Sequence, residues 1–224
     1  MAGRPREFEK SEVLTRARDC FWAKGFEATS MTDLIQHTQV ASASLYAAFG
    51  SKNSLFRAAI DDYLAHEGRF AEKAMIEEAT ARRAIERMLR DAVTLFTRRE
   101  RNWGCMVVTS AINCSDEKLK NWLSAKRNMR TALIVARLQQ AAKAGELARG
   151  TDARALGDLY ATLLQGLSVQ ARDGVPKARL MKMVTAAISL LDSTRVISTA
   201  TENSGAGREA KVFAARATKA RNNR

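Results

Sequence analysis

The stretch SMTDLIQHTQVASASLYAAFGSKNSLF, from Ser30 to Phe56, decides the fold. Ser30 is followed three residues later by Asp33, a spacing at which the serine caps a helix and the acid bonds back to it. The apolar pattern then predicts a helix to about Thr38, a tight turn and a second short helix over residues 42–49. Two short helices joined by a tight turn indicate a helix-turn-helix unit.

The rest of the chain is also predicted to be helical. An apolar face recurs at helical spacing from Ser11 to Lys24, where Gly25 ends the helix, and Ser51 predicts the cap of a fourth helix. The chain has only two prolines, and Ala, Leu, Arg and Lys are abundant, which favours helices over sheet. We therefore predict an all-α protein, with further helices at residues 81–99, 105–112, 116–144, 152–172 and 177–193.

The charge of the chain predicts an anionic partner. Lys and Arg number 37 against 24 Asp and Glu, a formal net charge of +13, which suits nucleic acid or a membrane surface. The N-terminus is charged without a following signal-peptide core, and no apolar run approaches the ~18 residues of a membrane span. We expect no membrane-spanning segment and a cytoplasmic location. Three cysteines without metal spacing predict free thiols in a reducing compartment.

The segment GFEATSMTDLIQHTQVASASLYAAFGSKNSLF closely resembles the DNA-binding domain of TetR-family transcriptional regulators of the TetR/AcrR type. The resemblance rests on GF.ATS, SLY..F and SK..LF at this spacing. It implies an all-helical homodimer with an N-terminal three-helix helix-turn-helix domain and a larger C-terminal domain for ligand binding and dimerisation. In the C-terminal half the likeness is weaker, on fragments such as GCMVV and AGEL, so it does not identify the ligand.

Four segments follow from the pattern and the resemblance together. We predict a basic arm at residues 1–10, a helix-turn-helix DNA-binding domain at 11–56 and a helical ligand-binding and dimerisation domain at 57–193. From residue 194 to 224 the hydrophobic periodicity fades and basic residues outnumber acidic ones, which predicts a disordered basic tail.

The resemblance also implies which residues contact DNA. The recognition helix is residues 42–49, and Lys52 matches the family's phosphate-binding lysine at a helix N-terminus, where anions are favoured. Small side chains would let this helix approach the floor of the major groove. Arg4 and Arg6 could enter the minor groove, or the arm could remain unbound. The predicted DNA-binding residues are Ser30, Met31, Thr32, Ser42, Ala43, Ser44, Tyr46, Ala48, Lys52, Arg4 and Arg6.

Two residues depart from the family pattern. Gln39 stands where the family usually has a turn glycine, and a left-handed residue other than glycine costs on the order of 1 kcal/mol. Ala41 stands where the family usually has a capping serine, so Ser42 could cap instead and shift the helix start by one residue. Both departures affect the entry angle of the recognition helix.

An effector pocket is predicted inside the C-terminal helices. The candidates are aromatic, sulfur-containing or amide side chains on helices that must face inward, and the alternative for each is plain core packing. Cys105 could also sense electrophiles or oxidants, or be a buried structural cysteine. The predicted ligand-binding residues are Phe96, Trp103, Cys105, Met106, Asn113, Trp122, Met129 and Gln165.

The last two helices predict a dimer interface. They carry more apolar surface than one subunit is expected to cover, and a four-helix bundle across a two-fold axis would bury it. The alternative is that these stripes complete the core of one subunit. The predicted dimerisation residues are Leu156, Leu159, Leu163, Gly166, Leu167, Leu180, Met183, Val184, Ile188 and Leu191.

We therefore predict a dimeric repressor that binds a double-stranded palindromic operator and is released by an unknown small molecule. The alternatives are a ligand-independent regulator or activator of the same fold, or a basic helical protein that associates with RNA or a membrane surface. No catalytic triad, paired carboxylate or metal-ligand spacing appears, so no enzyme activity, cofactor or metal is predicted.

Overall fold

The computed structural model describes residues 9–98, 102–110 and 114–194. The described chain is all-α, which confirms the predicted fold class. Its helices are α1 (Lys10–Lys24), α2 (Met31–Thr38), α3 (Ser42–Phe49), α4 (Lys52–Ala65), α5 (Phe70–Glu77), α6 (Ala81–Phe96), α7 (Met106–Thr109), α8 (Glu117–Lys143), α9 (Ala153–Arg172) and α10 (Lys177–Ser193).

An aromatic cluster holds the first four helices together. The ring of Phe21 on α1 lies 5.1 Å from that of Phe56 on α4, edge to face, and Phe26 stacks on Phe21 at 6.3 Å. Leu34 of α2 and Leu45 of α3 are buried in the same core. Aromatic pairs of this kind contribute about 0.5–1.5 kcal/mol each beyond their buried area. The short helices α2 and α3 are therefore held rigidly on α1 and α4.

The remaining helices form a larger bundle behind this unit. The long helix α8 packs along α9, and α6 packs against α5, α9 and α10. Their contact surfaces are apolar, with Ile85, Met88 and Leu89 of α6 fully buried. None of the helices that the structure describes is both long and apolar enough to cross a membrane.

The helix boundaries agree closely with the sequence prediction, with three differences. The helix α5 was not predicted, α6 ends at Phe96 rather than near residue 99, and α7 is a single turn. The domain boundary predicted between residues 56 and 57 falls inside the continuous helix α4. Predictions for Arg4, Arg6, Asn113 and the basic tail lie outside the described residues.

Candidate functional site

The N-terminus of α2 is fixed by local bonds. The Oγ of Ser30 accepts from the Asp33 amide at 3.0 Å, and the Asp33 carboxylate accepts from the Ser30 amide at 2.8 Å, which confirms the predicted capping box. The ammonium of Lys24 also pairs with Asp33. These hydrogen bonds, first that of Lys24, lower the pKa of Asp33 far below its usual value. Asp33 is the only acidic residue from Ser30 to Phe56 in the sequence, and its charge is already paired.

The turn between α2 and α3 adopts the left-handed conformation that glycine, the residue usual in the family at this position, favours. Gln39 has φ 60° and ψ 28°, which is left-handed, and its amide donates to the Ile35 carbonyl at 2.9 Å. The helix α3 begins at Ser42 with Ala41 at the N-cap and no side-chain cap. The expectation that Ser42 would cap is therefore wrong. Because Ala41 already has extended backbone angles, the helix starts where the family pattern puts it.

One face of α3 is open to solvent. Leu45 points into the core, whereas Ala43, Tyr46 and Ala47 are exposed, Tyr46 to 45%. Tyr46 is therefore not a core residue. Among the predicted DNA contacts, Ser42, Ser44 and Ala48 are half-buried. Ala47 was missed, although its place one turn after Ala43 puts it on the same face.

The start of α4 adds a positive charge beside this face. Ser51 caps α4 by accepting from the Ser54 amide at 3.0 Å, as predicted. The Lys52 ammonium lies 4.5 Å from the centre of the Phe26 ring. On α2, Thr32 is exposed and Met31 half-buried. A lysine held at a helix N-terminus beside an uncharged, shallow helix face can bind phosphate while α3 enters a groove.

A small cavity in the C-terminal helices brings together two of the predicted ligand-binding residues. Cys105 and Gln165 both line it, with a volume of about 10 Å³, room for roughly one water molecule. Sequence analysis missed two arginines of α8, Arg127 and Arg130, which line the same cavity. The remaining lining residues that it missed are Val108, Thr131, Ile134, Ala161 and Leu164.

An open groove lies on the other side of Arg130. It is formed by α4, α5 and α8, has a volume of about 560 Å³, and includes the predicted residue Met129. Met129 is 68% exposed and faces Ile76 of α5, which is 78% exposed. Because Arg130 lines both spaces, it separates the groove from the cavity.

The four other predicted ligand-binding residues that the structure describes do not line the cavity or the groove. Phe96 and Met106 are fully buried, and Phe96 packs edge to face on Phe70. Trp103 packs edge to face on Trp22. Trp122 lies between two cations at the α4–α8 contact, Arg57 at 4.7 Å and Lys126 at 5.0 Å. In the structure these four side chains occupy packing positions, with Phe96 and Met106 buried and Trp103 and Trp122 half-buried.

The DNA-binding helices are hydrogen-bonded to the segment that carries Cys105. The Arg172 guanidinium, at the end of α9, donates to the carbonyls of Ala23 at 3.1 Å and of Trp22 and Trp103 at 3.4 Å. The Trp22 indole in turn donates to the Gly104 carbonyl at 3.0 Å. The C-terminal end of α1 is thereby joined to both α9 and the Cys105 segment.

The predicted dimer surface is smaller than the sequence indicated. The following residues belong to the core of the single chain, and their assignment is corrected: Leu156, Leu167, Leu180, Val184, Ile188 and Leu191. They face inward because α9 and α10 pack on α6 and α8. Of the predicted set, Leu159, Gly166 and Met183 are exposed and Leu163 is half-buried.

The exposed residues of α9 and α10 form two continuous stripes. On α9 the exposed positions at helical spacing are Ala155, Leu159, Thr162, Gly166 and Val169, and on α10 they are Met183, Ala186 and Leu190. Leu159 is 46% and Leu190 51% exposed. A largely apolar face of small and branched side chains can pack closely against the identical face of a second subunit.

Together, the exposed α3, the left-handed turn and the lysine at the start of α4 define a helix-turn-helix DNA-binding protein. The family model for bacterial regulatory proteins of the tetR family matches residues 13–59. The HTH-type transcriptional repressor ComR of Escherichia coli (strain K12) is 29% identical over 194 residues, 84% of this chain and 91% of ComR.

Two solved structures are similar over almost their whole length. A cysteine mutant of the TetR family transcriptional regulator CifR, complexed with 26bp double-strand operator DNA, is 39% identical, with a TM-score of 0.79 over 83% of this chain and 98% of that one. A putative TetR transcriptional regulator from Rhodococcus sp. RHA1 is 32% identical, with a TM-score of 0.58 over 84% of this chain and 100% of that one. The chain belongs to the TetR family and is a DNA-binding transcriptional regulator.

Proposed function

We propose that the protein is a dimeric repressor that binds a palindromic operator and is released by a small effector bound in its C-terminal helices. The observation that carries this proposal is the exposed face of α3 beside Lys52, with no unpaired acidic side chain from Ser30 to Phe56. ComR is named a repressor and CifR was solved on operator DNA, which supports the same activity for this chain.

The proposed recognition of the DNA sequence depends on the small side chains of α3. Ala43, Ala47 and the hydroxyls of Ser42 and Ser44 would lie close to base edges, where methyl groups contact thymine and hydroxyls pair with donors or acceptors. Tyr46 and Lys52 would bind phosphates and fix the register. Because no side chain of α3 makes a bidentate base contact, specificity would also depend on DNA shape and on the spacing of two half-sites.

The proposed dimer uses the exposed stripes of α9 and α10. Two copies of these helices would form a four-helix bundle about a two-fold axis, so that the two recognition helices face successive turns of the operator. Release would follow when an effector stabilises a state in which the two helices no longer match that spacing. The bonds from Arg172 and Gly104 to α1 would transmit the change.

Selection of bound sequences from a random DNA pool, with purified full-length protein at near-physiological salt, tests the proposed function. We expect enrichment of one palindrome, because a two-fold dimer selects two inverted half-sites. Recovery of sequences without a common motif, with binding that disappears as salt is raised, would contradict operator recognition and favour non-specific attraction by the basic chain.

Lys52→Ala and Tyr46→Ala are each expected to lower operator affinity about tenfold while the dimer remains intact. Lys52→Ala should also make the slope of log affinity against log salt concentration shallower by about one, because one phosphate contact is lost. Fluorescence anisotropy across a salt series measures both quantities. The matched control is Lys73→Ala, an exposed lysine on α5, which should change neither. Unchanged affinity in the Lys52 variant would remove it from the interface.

A further inference from the structure

Two arginines interrupt the buried stripe of α8. Positions at helical spacing along this helix are apolar and buried on either side of Arg127 and Arg130: Leu119, Leu123, Ile134 and Leu138. Both arginines line the cavity beside Cys105. A charged side chain in such a stripe is costly to bury unless it meets an opposite charge.

Neither guanidinium has an anionic partner in the part of the chain that the structure describes. Arg130 donates to the Cys105 sulfur at 3.5 Å and to the Gly68 carbonyl at 3.4 Å, and its guanidinium lies 5.5 Å from the centre of the Phe70 ring. Arg127 donates to the Val107 carbonyl at 3.1 Å. No ion pair joins either arginine to a carboxylate among these residues.

The nearby Tyr63 does not supply the missing negative charge. Its hydroxyl donates to the Cys105 sulfur at 3.6 Å. Burial raises the pKa of Tyr63 well above its ordinary value, so the phenol stays neutral. Two positive charges therefore face one small cavity without a resident carboxylate or phenolate.

The carboxylates at the rim of the adjacent groove are already engaged. Asp61 pairs with Lys126 at 2.8 Å, and Glu72 lies 4.0 Å from Arg69. Of the charged side chains that line the groove, Arg130 is the one without an ion pair within 4.0 Å among the described residues, and Glu72 acts on it only at longer range. Beside it the groove wall is apolar, with Leu64, Ile76, Met129 and Leu133.

We propose that the effector is a small organic acid with an apolar body. This inference rests on the proposed function and names the chemical class that its effector site accepts. The carboxylate binds Arg130 and Arg127, and the apolar body lies along Ile76 and Met129 in the groove. The Gln165 amide, on the far wall of the cavity, can donate to the second carboxylate oxygen.

Binding requires Arg130 to move. The inner cavity of about 10 Å³ is too small for a carboxylate, so the Arg130 side chain must turn from the Gly68 carbonyl towards the acid. The groove is walled by α4, whose first residue is Lys52. An acid that separates α4 from α8 thereby displaces the DNA-binding helices, and it favours the released state because it binds that state more tightly.

Isothermal titration calorimetry with full-length protein tests the chemical class. Octanoate is expected to bind at least tenfold more tightly than octanamide, which lacks the charge, and than acetate, which lacks the apolar body. Arg130→Gln and Arg127→Gln should each remove most of the preference for octanoate over octanamide. The control Arg154→Gln, an exposed arginine on α9 paired with Asp158, should keep it. Equal binding of octanoate and octanamide, or no binding of either, would overturn the proposal.

The melting temperature with and without acid provides a second measurement. Octanoate is expected to raise the melting temperature of the parent protein but not that of Arg130→Met, because a ligand stabilises only a folded state that binds it. An equal rise in the two proteins would overturn the proposal.

The rival partner of Arg130 is the Cys105 sulfur, which accepts from its guanidinium at 3.5 Å, and Cys105→Ser separates the two cases. We expect octanoate to bind this variant and the parent protein with similar affinity. Binding that appears only in Cys105→Ser would mean that the sulfur already occupies Arg130 and would overturn the proposal. Operator binding by the unliganded protein is measured alongside. Its absence would count against the proposed function, whereas its presence without acid binding would count against this inference alone.

Discussion

Gly104→Ala is expected to destabilise the protein by about 2–5 kcal/mol, the sum of left-handed backbone strain and overpacking. Gly104 has φ 68°, and a Cβ there would lie 2.5 Å from the Ser168 carbonyl oxygen and 2.8 Å from its Oγ. The Oγ of Ser168 cannot move away freely, because it accepts from the Cys105 amide at 2.7 Å. The added Cβ would therefore clash with the backbone of α9 and disturb the hydrogen bond between Ser168 and the Cys105 amide.

The matched control is Gly150→Ala. Gly150 has φ 83°, so alanine is strained there as well, but no atom lies within 4 Å of the added Cβ. Urea denaturation at one fixed protein concentration gives both free energies of unfolding, since a dimer's stability depends on concentration. We expect Gly150→Ala to lose only about 1 kcal/mol, the strain alone. Equal losses in the two variants would mean that the Ser168 contact contributes nothing.

The helix-turn-helix unit could be predicted from the sequence because its signals are local. Two caps determine helix starts within four residues: the capping box of Ser30 and Asp33, and the cap Ser51. The structure has the two hydrogen bonds of the capping box and the one of Ser51. The family resemblance also singled out Gln39 as the residue in place of a turn glycine, and its φ is 60°. The helix α5 carries no such signal, since the side chain of Arg69 at its N-cap makes no capping hydrogen bond.

The dimer stripe could not be separated from the core by sequence alone. Leu156 and Leu159 are both apolar and only three residues apart, yet Leu156 is 9% exposed and Leu159 46%. When a helix has apolar residues on two faces, its sequence alone does not determine which face is buried by the same subunit. That depends on tertiary packing, in which α6, distant in sequence, packs on both α9 and α10 and α8 packs on α9.

The cationic part of the candidate effector site was missed for a different reason. Arginine is usually a surface residue, so Arg127 and Arg130 were not considered as inward-facing side chains. The signal was present, however, in the spacing of α8, where they continue the stripe of Leu123 and Ile134. Under the proposed effector class, charged residues at buried-stripe positions mark the ligand site, whereas the aromatic residues chosen for their side-chain type do not.

Leu159→Glu is expected to convert the protein to a monomer and to weaken operator binding about 10²- to 10⁴-fold, the loss expected when two linked half-site contacts become one. Under the proposed two-fold symmetry each substitution occurs twice, so two carboxylates would enter one apolar surface. Since Leu159 is 46% exposed in the single chain, the fold of the subunit should not depend on it.

Light scattering after size-exclusion chromatography measures the mass, and circular dichroism checks that the helices remain. The control is Ala142→Glu, which places the same charge on an exposed apolar residue near the end of α8. It should remain a dimer and bind operator DNA as the parent protein does, because Ala142 lies outside the stripes of α9 and α10 and outside the groove. A Leu159→Glu protein that is still dimeric would show that the two-fold axis lies elsewhere. The half-site spacing of the operator would then have to be explained by a different surface.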